Sequence, residues 1–401
     1  MKKLDLFPSP KGHAMRKTFA ILLCALFAAT AAEARTLYVN ANRPNNNGNG
    51  LKPSTAKKTL QAAINIAREG DTILVLPGSY SAIKTDNRKI AITSFKGASK
   101  TRIVFKPNKT NPVAIARLGA TYTVEDSYGT SRSSDPRTKG KKTRLTGFLL
   151  DGRNLYNNGA PLYGVCGGTV RNCSIQRLGT NPRALMAYSA AAADATLKNC
   201  TILKNYTDIA YKSVLNRCRI AGNMSETSPS QAMVSGSRLC NCLLAGNAFL
   251  CAFDSDAFAS SSVFVNCTLV KNAVFADARE DFKDGPHPAV RCKYYNCILR
   301  DNFLCDATWS LDRRDWWLDP GIDTVVCNVE SSKNDYVRTY RDNRNPKFAD
   351  EAGGDCRLKK GSPCINQGVL NMTLWKWLGT LDLAGKKRIH GKAIDMGCYE
   401  Y

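Results

Sequence analysis

Three groups of side chains in this sequence could do chemistry. Arg177, Lys204 and Lys271 recur at one position of a repeated segment, and a column of cations on one face would line a groove for anions. Arg279-Glu280-Asp281-Phe282-Lys283-Asp284, followed by His287, is the densest polar cluster. Glu280, Asp281 and Asp284 are its candidate ligands for a hard cation such as Ca²⁺, although the regular oxygen-ligand spacing of such sites is missing and a solvated loop uses the same residues. Trp309, Trp316 and Trp317 offer aromatic planes that stack on sugars, with Lys212 as a further cation for a carbohydrate ligand. All five Trp lie after residue 308, where large aromatics also serve to close the end of a core.

These residues need a scaffold, and the cysteines reveal it. Cys173, Cys200, Cys218, Cys242, Cys267 and Cys297 are spaced by 27, 18, 24, 25 and 30 residues. Counting from each Cys, position −3 is apolar and position +2 is Ile or Leu in every copy. Position −1 is Asn in five of six copies, and so is position +5. An earlier, diverged copy runs through Leu145, Phe148 and Leu150. A period near 25 residues is the mark of a solenoid. Cys and the +2 aliphatic lie two apart, so on a strand they point to one face. One strand cannot bury that face, but stacked coils can. The six repeat cysteines therefore read as small apolar core fillers, and Asn at +5 as a left-handed turn residue whose side chains can bond along the stack. The cations at +4 would then form an outward column.

The pattern also resembles the leucine-rich repeat, with Cys in a Leu position. Three features favour a right-handed parallel β-helix instead. The spacing wanders between 18 and 30 residues, the segments between strands show no helical pattern (Ser255 to Ser262 is mostly small and polar), and the N-terminal region supplies a cap. There Leu60, Ala63, Ile64 and Ala67 give the stripe of an amphipathic helix, with Gly70 as its expected C-cap, followed by a strand and the Pro77-Gly78 turn.

Composition bounds the rest. The chain has 401 residues, 57 Lys+Arg against 33 Asp+Glu, and a formal charge of +24. A basic lead, an apolar run from Phe19 to Ala29 and Ala32-Glu33-Ala34 form a secretory signal, with cleavage expected after Ala34. The apolar run is too short to span a bilayer. Of 16 cysteines, one lies in the signal and six in the repeat, leaving nine for bridges in an exported protein (16 − 1 − 6 = 9), with Cys356, Cys364 and Cys398 as the group expected to pair. No CxxC motif points to zinc. Export and the lack of any nucleic-acid-binding motif turn the positive charge away from nucleic acid and towards a polyanionic glycan.

Both ends carry resemblances. Residues 36–80, with Thr36-Leu37-Tyr38-Val39, the Leu60 helix, Gly70-Asp71 and Pro77-Gly78-Ser79-Tyr80, closely resemble the opening of secreted right-handed β-helix proteins of the pectate-lyase-like superfamily. Residues 357–368, 382–385 and 394–401 resemble the choice-of-anchor segment that ends many bacterial β-helix surface proteins. The resemblance implies an all-β, single-stranded right-handed parallel β-helix. Its expected divisions are a signal (1–34), a strand and helix cap (35–80), the β-helix (81–304), irregular last coils (305–355) and a closing C-terminal segment (356–401). It also implies an exported, monomeric protein, not integral to the membrane, that engages acidic polysaccharide or a cell-surface glycan. One reading is a polysaccharide lyase that removes the proton beside a uronate carboxylate, with Arg177, Lys204 and Lys271 as candidate catalytic cations and Ca²⁺ as the implied cofactor. The other is a non-catalytic, adhesin-like spacer and binding platform. The Asp and His motifs of pectate lyases and polygalacturonases are absent from the sequence.

Overall fold

The computed structural model describes residues 33–106, 113–121, 124–125, 131–132, 138–140, 142–155, 162–179, 189–226, 232–251, 257–277, 287–290, 292–307, 324–326, 329–330, 341–342 and 344–401. Residues 1–35 and 36–401 separate into two units, and the second holds the whole fold. Residues 1–32 of the expected signal segment, Glu280, Asp281, Asp284, Trp309, Trp316 and Trp317 lie outside the described residues. No helix of the described residues is long and apolar enough to cross a membrane.

Each repeat makes one coil of a parallel β-helix. The apolar −3 residue sits on a strand of sheet 1, which runs from Thr36–Val39 through Thr72–Val75, Ala91–Ser94 and Arg144–Thr146 to Lys293–Tyr295. The +2 aliphatic sits on sheet 2, from Gly78–Ser81 through Thr101–Val104, Leu149–Leu155 and Ser174–Leu178 to Cys297–Arg300. Sheet 3 returns the chain, from Ile83–Lys84 to His287–Val290. A short fourth ladder appears in the later coils, from Met224–Glu226 to Phe303–Ala307. From Thr36–Val39 to Lys293–Tyr295 neighbouring strands of sheet 1 pair in parallel, with Leu145, Val170, Leu197, Leu215, Leu239, Phe264 and Tyr294 in one register. Among the described residues strands follow strands with no helix between them in these coils, which sets aside the leucine-rich alternative. Antiparallel strands then follow the last parallel coil, Val329–Glu330 ending sheet 1 and Thr324–Val326 with Arg341–Asp342 ending sheet 2, where an exposed parallel edge would invite pairing with another chain.

The inward columns fill the core. The six repeat cysteines are buried, and Phe148 takes their place in the diverged copy. Cys is suited here by more than its size. Its thiol donates to the carbonyl two residues back, at 3.2 Å in Cys173 and Cys242 and 3.3 Å in Cys200 and Cys297. The expectation for Asn at +5 divides into two findings. The side-chain ladder is present: Nδ2 donates to Oδ1 of the next coil from Asn205 to Asn223, Asn247, Asn272 and Asn302 at 2.8–2.9 Å. These residues do not hold the left-handed turn, however. That conformation belongs to position +4, where Arg177, Lys204, Lys271 and Asp301 have φ of 48–58°, and to position −1, from Asn172 to Asn296. The chain must turn before the +5 side chain can point back into the stack, so the corner falls one residue earlier.

The N-terminal helix Leu60–Ile66 buries Leu60, Ala63 and Ile64 in the first-coil core. Thr59 caps it, its side chain accepting from the Ala62 N–H. Gly70 is not its C-cap: the helix ends at extended Ala67, and Gly70 turns the chain three residues later at φ 90°. Cys356 and Cys398 remain thiols, in one buried cluster with Cys364, so the bridge expected within this group is not formed there.

The C-terminal segment, from Phe348–Asp350 to Tyr401, lies along the flank of the solenoid. It turns around the −1 corner and covers sheets 1 and 2 together. Leu374 and Leu378 of the helix Met372–Leu378 pack on Cys240 and Val265 of sheet 1. Met396 and Cys398 pack on Leu243, Val270 and Ile298 of sheet 2. The corner asparagines hold it there. Asn241 donates to the Leu378 carbonyl at 2.9 Å, Asn266 to that of Asp395 at 2.7 Å, and Asn296 to that of Val369 at 2.8 Å.

Candidate functional site

Upstream of that covered region, the outward face of sheet 2 is open, and a cleft of about 490 Å³ lies on it. Ser79, Arg102, Val104, Asp151, Arg153 and Arg177 line the cleft. They come from four successive coils whose registers align Ser79 with Arg102, Arg102 with Leu149, and Asp151 with Gln176. Three arginines against one aspartate leave a net formal charge of +2 (3 − 1) on these walls.

Local irregularity builds the cleft. The pairing of Leu149–Leu155 with Ser174–Leu178 slips between Asp151 and Leu155. Arg153 and Asn154 bulge out there with left-handed φ of 60° and 54°. Gly152 permits the close approach that follows, since a Cβ at that position would fall 2.1 Å from the Arg177 carbonyl oxygen. The bulge carries Arg153 outward, and its N–H donates to Asp151 Oδ1 at 2.8 Å.

Asp151 is 1% exposed. Arg177 grips it from the next coil, Nε donating to Oδ1 at 2.9 Å and Nη2 bonding to Oδ2. A carboxylate with this little water needs such a partner. One edge of the Arg177 guanidinium is thereby committed to Asp151. Arg102 and Arg153 are exposed and carry their charges into solvent. Exposed guanidinium forks in a concave site suit an oxyanion that can accept two parallel hydrogen bonds, such as a carboxylate or sulfate. The same walls do not fit the implied Ca²⁺, because their single carboxylate already sits on a guanidinium and the other charges are positive. Among the described residues no three His, Cys, Asp or Glu side chains gather to hold a metal.

The candidate residues distribute unevenly around this cleft. Arg177 is in it. Lys204 stands one coil further along the same corner, exposed, with its carbonyl accepting from the Arg177 N–H at 3.2 Å. Lys271 does not join them. Gly222 and Gly246 occupy the two intervening corners, and the Lys271 ammonium donates to the Glu351 carbonyl at 3.3 Å. Lys212 is exposed at a different corner, between sheets 3 and 1, with its ammonium 5.0 Å from the Tyr211 ring centre. Asp151, Arg102 and Arg153 are absent from the sequence-based candidates. Their one signal is a departure from pattern: Asp151-Gly152-Arg153 stands where later coils carry the turn cation and the ladder Asn.

No family model matches the chain, and no curated protein matches it. Among solved structures it is similar to pectate lyase Pel9A, with 15% identity, 91% of this chain and 96% of that one covered, and a TM-score of 0.49. A rhamnogalacturonan lyase is similar at 10% identity over 64% of this chain and 74% of that one, with a TM-score of 0.34. Pectin methylesterase from carrot gives 12% identity, 72% and 88% coverage, and 0.34.

Proposed function

We propose that this chain binds an acidic polysaccharide in the arginine cleft of sheet 2. The observation that carries this reading is the pair of exposed guanidiniums, Arg102 and Arg153, set beside a buried carboxylate that fixes Arg177 in place. A pyranose uronate presents one carboxylate per sugar, and a cationic cleft on a parallel sheet presents partners at strand spacing, about 4.8 Å apart. Holding requires no more than this. Cleavage would also require a base, and we assign that role to Lys204, which is exposed one coil beyond Arg177. In that reaction the base takes the proton beside the carboxylate, the C5–H electrons form a C4–C5 double bond, and the C4–O bond breaks with its pair on the leaving oxygen, which takes a proton from water.

Binding of polygalacturonate, alginate and chondroitin by calorimetry, with a neutral galactan as control, tests the proposal. Affinity should weaken as salt rises, and R102A and R153A should each weaken it. Equal binding of the neutral control, or no effect of either variant, would overturn it. Ultraviolet absorbance of the unsaturated product separates holding from cutting. An increase that K204A abolishes makes Lys204 the base, and a flat trace with binding retained leaves a platform.

A further inference from the structure

We infer that the C-terminal segment is the end wall of the glycan groove and limits the length of chain the groove accepts. The inference rests on the polyanion reading above and concerns the far end of the same face. Sheet 2 changes character along a single outward column. Arg219 is exposed, yet Leu243, its register partner on the next coil, is 0% exposed. Thr268 and Ile298 continue the column and are buried too.

What buries them is the chain's own C-terminus, held at bonding distance. The Cys398 N–H donates to Thr268 Oγ1 at 3.1 Å. Gly397 passes so close that a Cβ on it would lie 2.7 Å from Thr268 Oγ1 and 2.8 Å from Ile298 Cδ1, and its φ of 86° also favours glycine. No sugar fits between surfaces in that contact. Glu351 seals the neighbouring edge, its carboxylate accepting from Arg300 at 3.0 Å and its carbonyl from Lys271 at 3.3 Å. Tyr399 packs on the same cluster.

Upstream the face stays open and, apart from half-buried Leu149 between Arg102 and Ser174, polar. It runs from Ser79 past Arg102 and Ser174 to Thr201 and Arg219, and Ser174 and Thr201 join their hydroxyls across coils at 2.8 Å. That track crosses six parallel strands, or five intervals of about 4.8 Å, close to 24 Å in all. A polyanion laid along it meets Arg102 and Arg177 first, then Lys204 and Arg219, and then the wall. The ligand chain therefore ends at Arg219, while its other end is free to leave past the N-terminal coils.

Titration of a size series of oligogalacturonates, from the dimer upward, tests the wall. The dissociation constant should fall by at least about tenfold in total, which is about 1.4 kcal/mol, until the oligomer fills the track, and then level off. A constant that keeps falling for oligomers longer than the track would overturn the wall and leave the polyanion reading standing. Failure of every oligomer to bind would sink the polyanion reading and the wall with it. Hydrogen exchange on the saturated protein gives a second measurement. Slowed exchange should cover the sheet 2 strands up to Arg219–Ala221, and slowing that spreads across Phe348–Leu358 would also refute the wall.

Discussion

Arg177 shows how a residue's neighbours decide its work. By type and spacing it is one of three cations available to a ligand. In the fold it neutralises Asp151, which is 1% exposed. Arg177→Ala should therefore destabilise the protein as well as weaken ligand binding. Removing one partner of a fully buried pair costs about 3–5 kcal/mol. The Arg177 side chain is 41% exposed, so solvent reduces the expected loss to about 2–3 kcal/mol. Urea unfolding checks this, and R102A, which leaves Asp151 paired, should unfold with the wild-type midpoint. Gly152 sets the same site through its backbone. A methyl group there meets the Arg177 carbonyl, and Gly152→Ala should flatten the bulge that carries Arg153 outward. The expected readout is weaker binding of polygalacturonate than R153A alone produces, since the Asp151–Arg177 contact shifts as well.

At the scale of the element, the ladders do the stabilising. Asn247 donates to the Ile220 carbonyl at 3.2 Å and to Asn272 at 2.8 Å, and it accepts from the Asn223 backbone and side chain at 3.1 and 2.9 Å. Asn247→Ala leaves several buried groups unpaired at once, and a loss of about 2–4 kcal/mol is expected from denaturant unfolding. Within the cysteine column, Cys173 makes stability depend on alkaline pH. Burial pushes the Cys173 thiol up to about 11, against about 8.5 for an exposed thiol. A thiol that holds its proton more tightly when folded contributes fully below about pH 8.5, and the contribution is lost as pH rises towards 11. In that window each such thiol costs about 1.4 kcal/mol per pH unit. Urea midpoints should fall between about pH 8.5 and pH 10, and Cys173→Ala should make the fall shallower. Equal slopes would show that Cys173 does not carry the effect.

Over the whole molecule, the C-terminal segment ties coils that are far apart in sequence. Arg388 and Glu400 pair at 2.9 Å with side chains 0% and 1% exposed. Glu400 also accepts from the Ile389 and Asp395 N–H groups, and Asp382 accepts from Glu400 and Lys386. Every part of this clasp lies in the last 20 residues and closes onto Asn241 through Arg388. Glu400→Ala leaves a buried guanidinium with its carboxylate partner gone, at an expected cost of about 3–5 kcal/mol. Because the clasp holds the segment rather than the coils, limited proteolysis of this variant should cut first after Phe348–Asp350 and leave the solenoid intact. Simultaneous loss of both would mean that the coils do not stand without the segment.

The sequence by itself determined the coil. Each repeat carries its own inward pattern of apolar −3, Cys and aliphatic +2, and a coil closes mainly on the next one, so a period near 25 residues states the fold, the core column and the Asn ladder in local terms. It did not place the left-handed corners, because they depend on how the ladder side chain must be aimed. Nor could it assemble the cleft. Arg102 lies in a coil without a repeat cysteine, and Asp151 and Arg153 sit at a bulge that breaks the pattern by which the other coils are recognised. The flank docking was equally hidden, since Asn241 meets Leu378 across 137 positions and Thr268 meets Cys398 across 130. Such contacts follow from which outward faces are apolar once the coils have stacked. The repeat sets what points inward, and the tertiary structure decides which part of the outer face stays open to a ligand.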